Sequence, residues 1–157
     1  MVFPRTLVVG CGSSLAGDDA AGPELIRRLA ARQLPPSVAC VDAGTSGFEV
    51  VLRMQGVPEV ILVDACASGD EPGVIHEVAG ESLDASPASA GVSIHRLRWD
   101  QAIALSRPLF GDATPRLTTF LVEGCRFTPG EGLSPEVDRA VDRLVDLLAE
   151  RLSRMDA

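Results

Sequence analysis

The sequence predicts an α/β three-layer sandwich: a mainly parallel, twisted sheet of about five strands with helices on both faces. Three observations predict it. Short apolar runs alternate with stretches of helical period along the chain, the order that a parallel sheet with crossover helices needs. Two of the runs, TLVVGC and EVILVDA, read as buried strands, being short, apolar and followed by turn residues. Right-handed crossovers then put helices on both sides of the sheet.

Each element has its own signal. Thr6 to Cys11 is the first strand, ending in glycines. Asp19 to Gln33 reads as a helix, with Pro23 in its first turn and Leu25, Ile26 and Leu29 as its apolar stripe. Val38 to Val41 is the second strand, and Ser46 to Gln55 a short helix expected to turn Phe48, Val51 and Leu52 inward. Glu59 to Ala65 is the third strand. Val74 to Val78 is the fourth, more polar and therefore expected near an edge. Residues 80–93 are rich in Ser, Ala, Gly and Pro and read as a loop, and Leu97 to Leu109 as a helix. Leu117 to Glu123 is the fifth strand. The last helix is the best marked. Ser134 can accept a bond from an unpaired N–H of the first turn, Pro135 needs no N–H there, and Glu136 meets the positive end of the dipole. Val137, Val141, Leu144, Leu148 and Leu152 then recur at helical spacing.

Composition bounds the function. With 157 residues the chain is expected to form a single domain over 1–157. No apolar run approaches the roughly 18 residues of a membrane span, and no signal-peptide pattern opens the chain, so a cytoplasmic protein is expected. The net charge of −8 opposes nucleic acid and anionic membranes, which need a positive field. Lys, Asn and Tyr are absent; they share A/T-rich codons, so the gap reads as genome composition. Cys11, Cys40, Cys66 and Cys125 form no zinc-like spacing and read as free thiols of a reducing compartment.

In such a sheet ligands bind beyond the carboxyl ends of the strands. Asp18 and Asp19 follow the first strand, Asp42 the second, and Asp64 and Glu123 end the third and fifth. Acidic groups crowded on one rim repel one another unless a cation or a shared proton neutralises them. Asp19 and Asp64 with His95, which follows the 80–93 loop, make a carboxylate–carboxylate–imidazole set suited to a borderline divalent metal such as nickel or zinc. His76 lies in a strand with no motif around it. Dinucleotide binding fits poorly, because the third glycine of GxGxxG is missing and Asp18–Asp19 would repel a pyrophosphate. There is no GxSxG elbow for serine chemistry. A Cys66–His95 nucleophile–base couple stays open.

Five blocks in order resemble the nickel–iron hydrogenase maturation proteases, the endopeptidases that trim the C-terminus of the hydrogenase large subunit. The first, Gly10-Cys11-Gly12-Ser13-Ser14-Leu15-Ala16-Gly17-Asp18-Asp19-Ala20-Ala21-Gly22, follows the family's Gly-x-Gly-Asn-x-Leu-x-x-Asp-(Asp/Glu)-x-x-Gly, with Ser13 in place of Asn. The others are Asp42-Ala43-Gly44-Thr45, the strand ending Val63-Asp64-Ala65, Ser93-Ile94-His95, and Val122-Glu123-Gly124 with Gly132-Leu133-Ser134-Pro135-Glu136-Val137. The resemblance runs from about Thr6 to Leu152 and implies a phosphorylase/hydrolase-like fold. It implies that Asp19, Asp64 and His95 hold a metal and that Asp42 takes part in cleavage. It also implies that the metal is the nickel already in the large subunit precursor, so the free protein is expected to be a monomer holding none tightly. The alternative is a binding module that checks the nickel without cutting; a small-molecule α/β hydrolase or nucleotide protein is the third reading.

Overall fold

The computed structural model describes residues 3–80, 108 and 110–156. Apart from residue 108, the expected helix over Leu97 to Leu109 lies outside the described residues, as do residues 81–93 of the expected loop and His95. Strand β1 (Thr6–Cys11) is buried at every position, as an unbroken apolar run between two covered faces requires. It is flanked by β2 (Val38–Gly44) and β3 (Glu59–Cys66), both parallel to it. Strand β5 (Arg116–Glu123) continues the parallel set beside β3. Strand β4 (Ile75–Ala79) closes the edge antiparallel to β5, giving the order β2-β1-β3-β5-β4. The polar fourth strand is thus at an edge, as its sequence predicts.

Helices cover both faces. Helix α1 (Ala21–Ala30) and the long α3 (Pro135–Met155) pack on one face with Val8, Ile61, Val63, Phe120 and Val122. Helix α2 (Gly47–Met54) packs on the other with Val9, Val60, Leu62 and Leu121. Helix α3 begins as its sequence predicts: Ser134 Oγ accepts from the Val137 N–H, and Pro135 opens the first turn. Arg28 of α1 joins α3 by ion pairs to Asp138 and Asp142 and also meets Glu24 of its own helix. No described helix is long and apolar enough to cross a membrane.

Two local expectations need correction. The helix expected from Asp19 begins at Ala21, and Gly17–Ala20 form a 3-10 turn instead. The Asp18 N–H donates to the Arg126 carbonyl, which draws this segment out of helical path. Helix α2 is rotated from its expected phase. Phe48 is 73% exposed and Leu52 50%, while Gly47, Val50 and Met54 are buried. Residues 47, 50 and 54 satisfy the helical period as well as 48, 51 and 52 do. The turn out of β2 sets the choice, with Ser46 Oγ capping the Glu49 N–H.

Helix α1 lies directly on the sheet. A Cβ on Gly22 would fall 2.2 Å from the Cys11 carbonyl oxygen and 2.7 Å from that of Val63, and one on Gly10 would fall 2.4 Å from the Gly22 oxygen. Only glycine permits this approach of backbone to backbone.

Candidate active site at the carboxyl edge of the sheet

Asp19, which follows β1, and Asp42 and Asp64, which stand in the last residues of β2 and β3 and not beyond them, gather around the end of β1. Asp19 is 2% exposed and Asp64 is fully buried, a costly place for carboxylates without compensating donors. Asp19 Oδ2 accepts from the Ser13 N–H at 2.7 Å, and Asp64 Oδ1 from the Ala65 N–H at 2.8 Å. The turn bearing Asp19 lies against β3. Burial raises the Cys11 thiol well above its usual pKa, and the charges of Asp64, Asp42 and Asp19 raise it further. One buried thiol therefore senses all three acids, and it stays protonated at neutral pH.

Asp42 stands differently. It is exposed, and its Oδ1 accepts from the Gly44 N–H. Its register partner is Gly10, which also pairs with Val63, so Asp42 sits on the α1 side of the sheet. Asp64 lies one residue beyond Val63 and belongs to the α2 side. The three acids meet at the rim from both faces. His95, the third member of the expected set, is outside the described residues.

Asp18 serves the scaffold. It is fully buried. Its Oδ1 accepts from the Ser134 N–H, and its Oδ2 accepts from the Cys125 and Arg126 N–H groups and from Ser134 Oγ. Burial alone would raise its pKa; these bonds outweigh that and lower it. They clasp the loop after β1 to the start of α3, and Ala16 adds a β-bridge to Pro129.

A second polar group lies beyond Asp64 on the same face of β3. Cys66 is the register partner of Glu123 on β5, and His76 on β4 pairs with Leu121, two residues before Glu123. A period of two puts all three side chains on one face. A ligand atom from each lies within 4.8 Å of the others. Among the described residues this group could hold a metal. Sequence reasoning gave His76 no partners, because the contacts arise only through the antiparallel pairing of β4 with β5. A pocket of about 310 Å³, lined by Arg5, Glu59, Arg116 and Asp156 among others, opens at the opposite, amino-terminal edge, away from these acids.

Residues 23–151 match the model of the hydrogenase maturation proteases. The chain belongs to that family. The hydrogenase 2 maturation protease of Escherichia coli is 29% identical over 157 residues, 98% of this chain and 94% of that protein. The coenzyme F420 hydrogenase subunit delta of Methanothermobacter thermautotrophicus is 29% identical over 93% of each chain. The solved structure of the E. coli hydrogenase maturating endopeptidase HybD superposes with a TM-score of 0.83 at 28% identity, covering 96% of this chain and 93% of that one. The sheet with helices on both faces is thus the fold of the maturation proteases. Ser13, which replaces the Asn of the first block, has its backbone N–H on Asp19 and its hydroxyl accepting from the Leu15 N–H.

Proposed function

We propose that the chain is an endopeptidase that removes the C-terminal tail of a nickel–iron hydrogenase large subunit once nickel has been inserted. In this reading Asp19, Asp64 and His95 meet the nickel carried by the substrate, and Asp42 takes part in cleavage. The observation that carries it is the pair of buried carboxylates, Asp19 and Asp64, on the rim around Cys11. One oxygen of each is fixed by a backbone N–H, so both carboxylates are oriented before a cation arrives. Buried negative charge of this kind favours a cationic partner, and a nickel centre presented by a folded substrate supplies one. Asp42, exposed at the same edge, is reachable by an extended peptide and has a carboxylate to orient water or accept a proton. Family membership supports proteolysis as the activity.

Intact mass of a nickel-loaded large subunit precursor, before and after incubation with the chain, tests this. Loss of a short C-terminal peptide is expected with nickel and none without it. His95→Ala should abolish the loss while its thermal midpoint stays near that of the wild type. A stable complex with no mass change would replace proteolysis by the nickel-checking binding module.

A further inference from the structure

We infer that Cys66, His76 and Glu123 form a second metal site, one that holds a zinc-type divalent ion in the free protein. It goes beyond the proposed proteolysis and does not depend on it. It departs from the expectation that the free protein holds no metal tightly.

The donors stand at ligand spacing. Cys66 Sγ is 3.0 Å from Glu123 Oε2, and His76 Nε2 is 3.7 Å from the same oxygen. Bonds of about 2.0–2.3 Å in a tetrahedron separate neighbouring ligand atoms by roughly 3.3–3.6 Å. The two distances to Glu123 Oε2 therefore need to change by only about half an ångström, and the Cys66 and His76 donors, within 4.8 Å of each other, close onto the ion as it binds. The His76 ring is a third exposed, yet its Nε2 is buried and has no hydrogen-bond partner among the described residues. A buried imidazole nitrogen without a partner is costly, and this one faces the Glu123 carboxylate.

The carboxylate is arranged for the same purpose. Glu123 is 1% exposed. Its Oε1 accepts from the Ser68 and Gly69 N–H groups, backbone donors that orient it as an outer shell orients a ligand. Its Oε2 accepts instead from Cys66 Sγ and Ser68 Oγ. The hydroxyl can rotate away, and the thiol proton can leave. Binding a divalent ion converts Cys66 to thiolate and releases one proton to solvent. Thiolate, carboxylate and neutral imidazole then balance the charge of the ion. Thiolate with imidazole selects zinc-like ions over magnesium and calcium. The fourth position falls to water or to Asp70, whose Oδ2 is 3.7 Å from His76 Nε2. Such an ion would pin together the ends of β3 and β5 and the start of β4, two residues from Asp64.

Cobalt titration of the chelator-stripped protein tests this. Wild type should bind one cobalt ion with a thiolate-to-metal charge-transfer band, and zinc should displace it. Cys11→Ser and Asp19→Asn should keep the band, because neither residue is one of the three donors. Cys66→Ser should lose it. His76→Gln, at a sheet edge and safe for the fold, should weaken cobalt by at least the roughly 10–100-fold that losing an outer-shell partner costs. A wild type without the band, a band that survives Cys66→Ser, or unchanged affinity in His76→Gln would overturn the inference.

Discussion

Replacing Asp18 by Asn alters one atom and removes one charge at a fully buried position. The carboxylate accepts four bonds: the N–H groups of Cys125, Arg126 and Ser134, and the hydroxyl of Ser134. An asparagine can place its oxygen where Oδ2 stands and keep three of them in weaker, neutral form. Its NH2 then faces the Ser134 N–H, leaving donor against donor. A buried unsatisfied donor costs about 1–3 kcal/mol, and the lost charge assistance adds to it, so a total near 3 kcal/mol is expected. For a domain of this size that is roughly 6–12 °C in the thermal midpoint. The effect has a pH signature. The Asp18 pKa is lowered in the fold, so its contribution is full above the unfolded value of about 4. It is lost as pH falls through the lower folded value. Asparagine does not titrate there, so the gap between the two proteins should narrow in acid. Thermal unfolding at neutral and acidic pH reads both effects. A midpoint within about 2 °C of wild type at neutral pH, or a gap that widens in acid, would refute the clasp.

Asp64→Asn should slow tail removal at least about a hundredfold, the scale of losing one charge-stabilising group at a reacting centre, and single-turnover cleavage of the nickel-loaded precursor measures it. Phe48→Ser should change unfolding free energy by no more than about 0.5 kcal/mol, because the ring is on the surface; a loss above 2 kcal/mol by urea denaturation would show that the ring is packed after all. Arg28→Ala should cost about 1–2 kcal/mol, since one guanidinium serves Glu24, Asp138 and Asp142. That cost should shrink in concentrated salt, which screens the exposed partners.

How far the sequence could be read depended on the kind of signal. Strands β1 and β3 are unbroken apolar runs, and α3 carries its own cap and proline, so local chemistry marks them without the rest of the fold. Asp19, Asp42 and Asp64 were legible as a rim because each stands at or just after a strand end, and parallel strands end on one side. Helix α2 was legible as a helix but not in phase, since two apolar stripes fit its short length equally. The role of Asp18 was hidden in a motif where it looks like the twin of Asp19; only the approach of residues 125–134 separates the two. The Cys66–His76–Glu123 group was hidden for a related reason. Its members lie on three strands, one of them antiparallel, and sequence spacing carries no trace of that pairing.

The contact of Gly22 with the backbones of β1 and β3 has an evolutionary consequence. At Gly22 backbone meets backbone, with no side chain between α1 and these strand ends whose size could drift as one apolar residue replaces another. The segment from Gly17 to Gly22, with Asp19 in it, is set against the sheet by main-chain atoms that every substitution leaves in place. Core residues such as Val8, Leu25 and Ile61 can therefore exchange over generations, altering stability, while the spacing between Asp19 and Asp64 is inherited through two glycines.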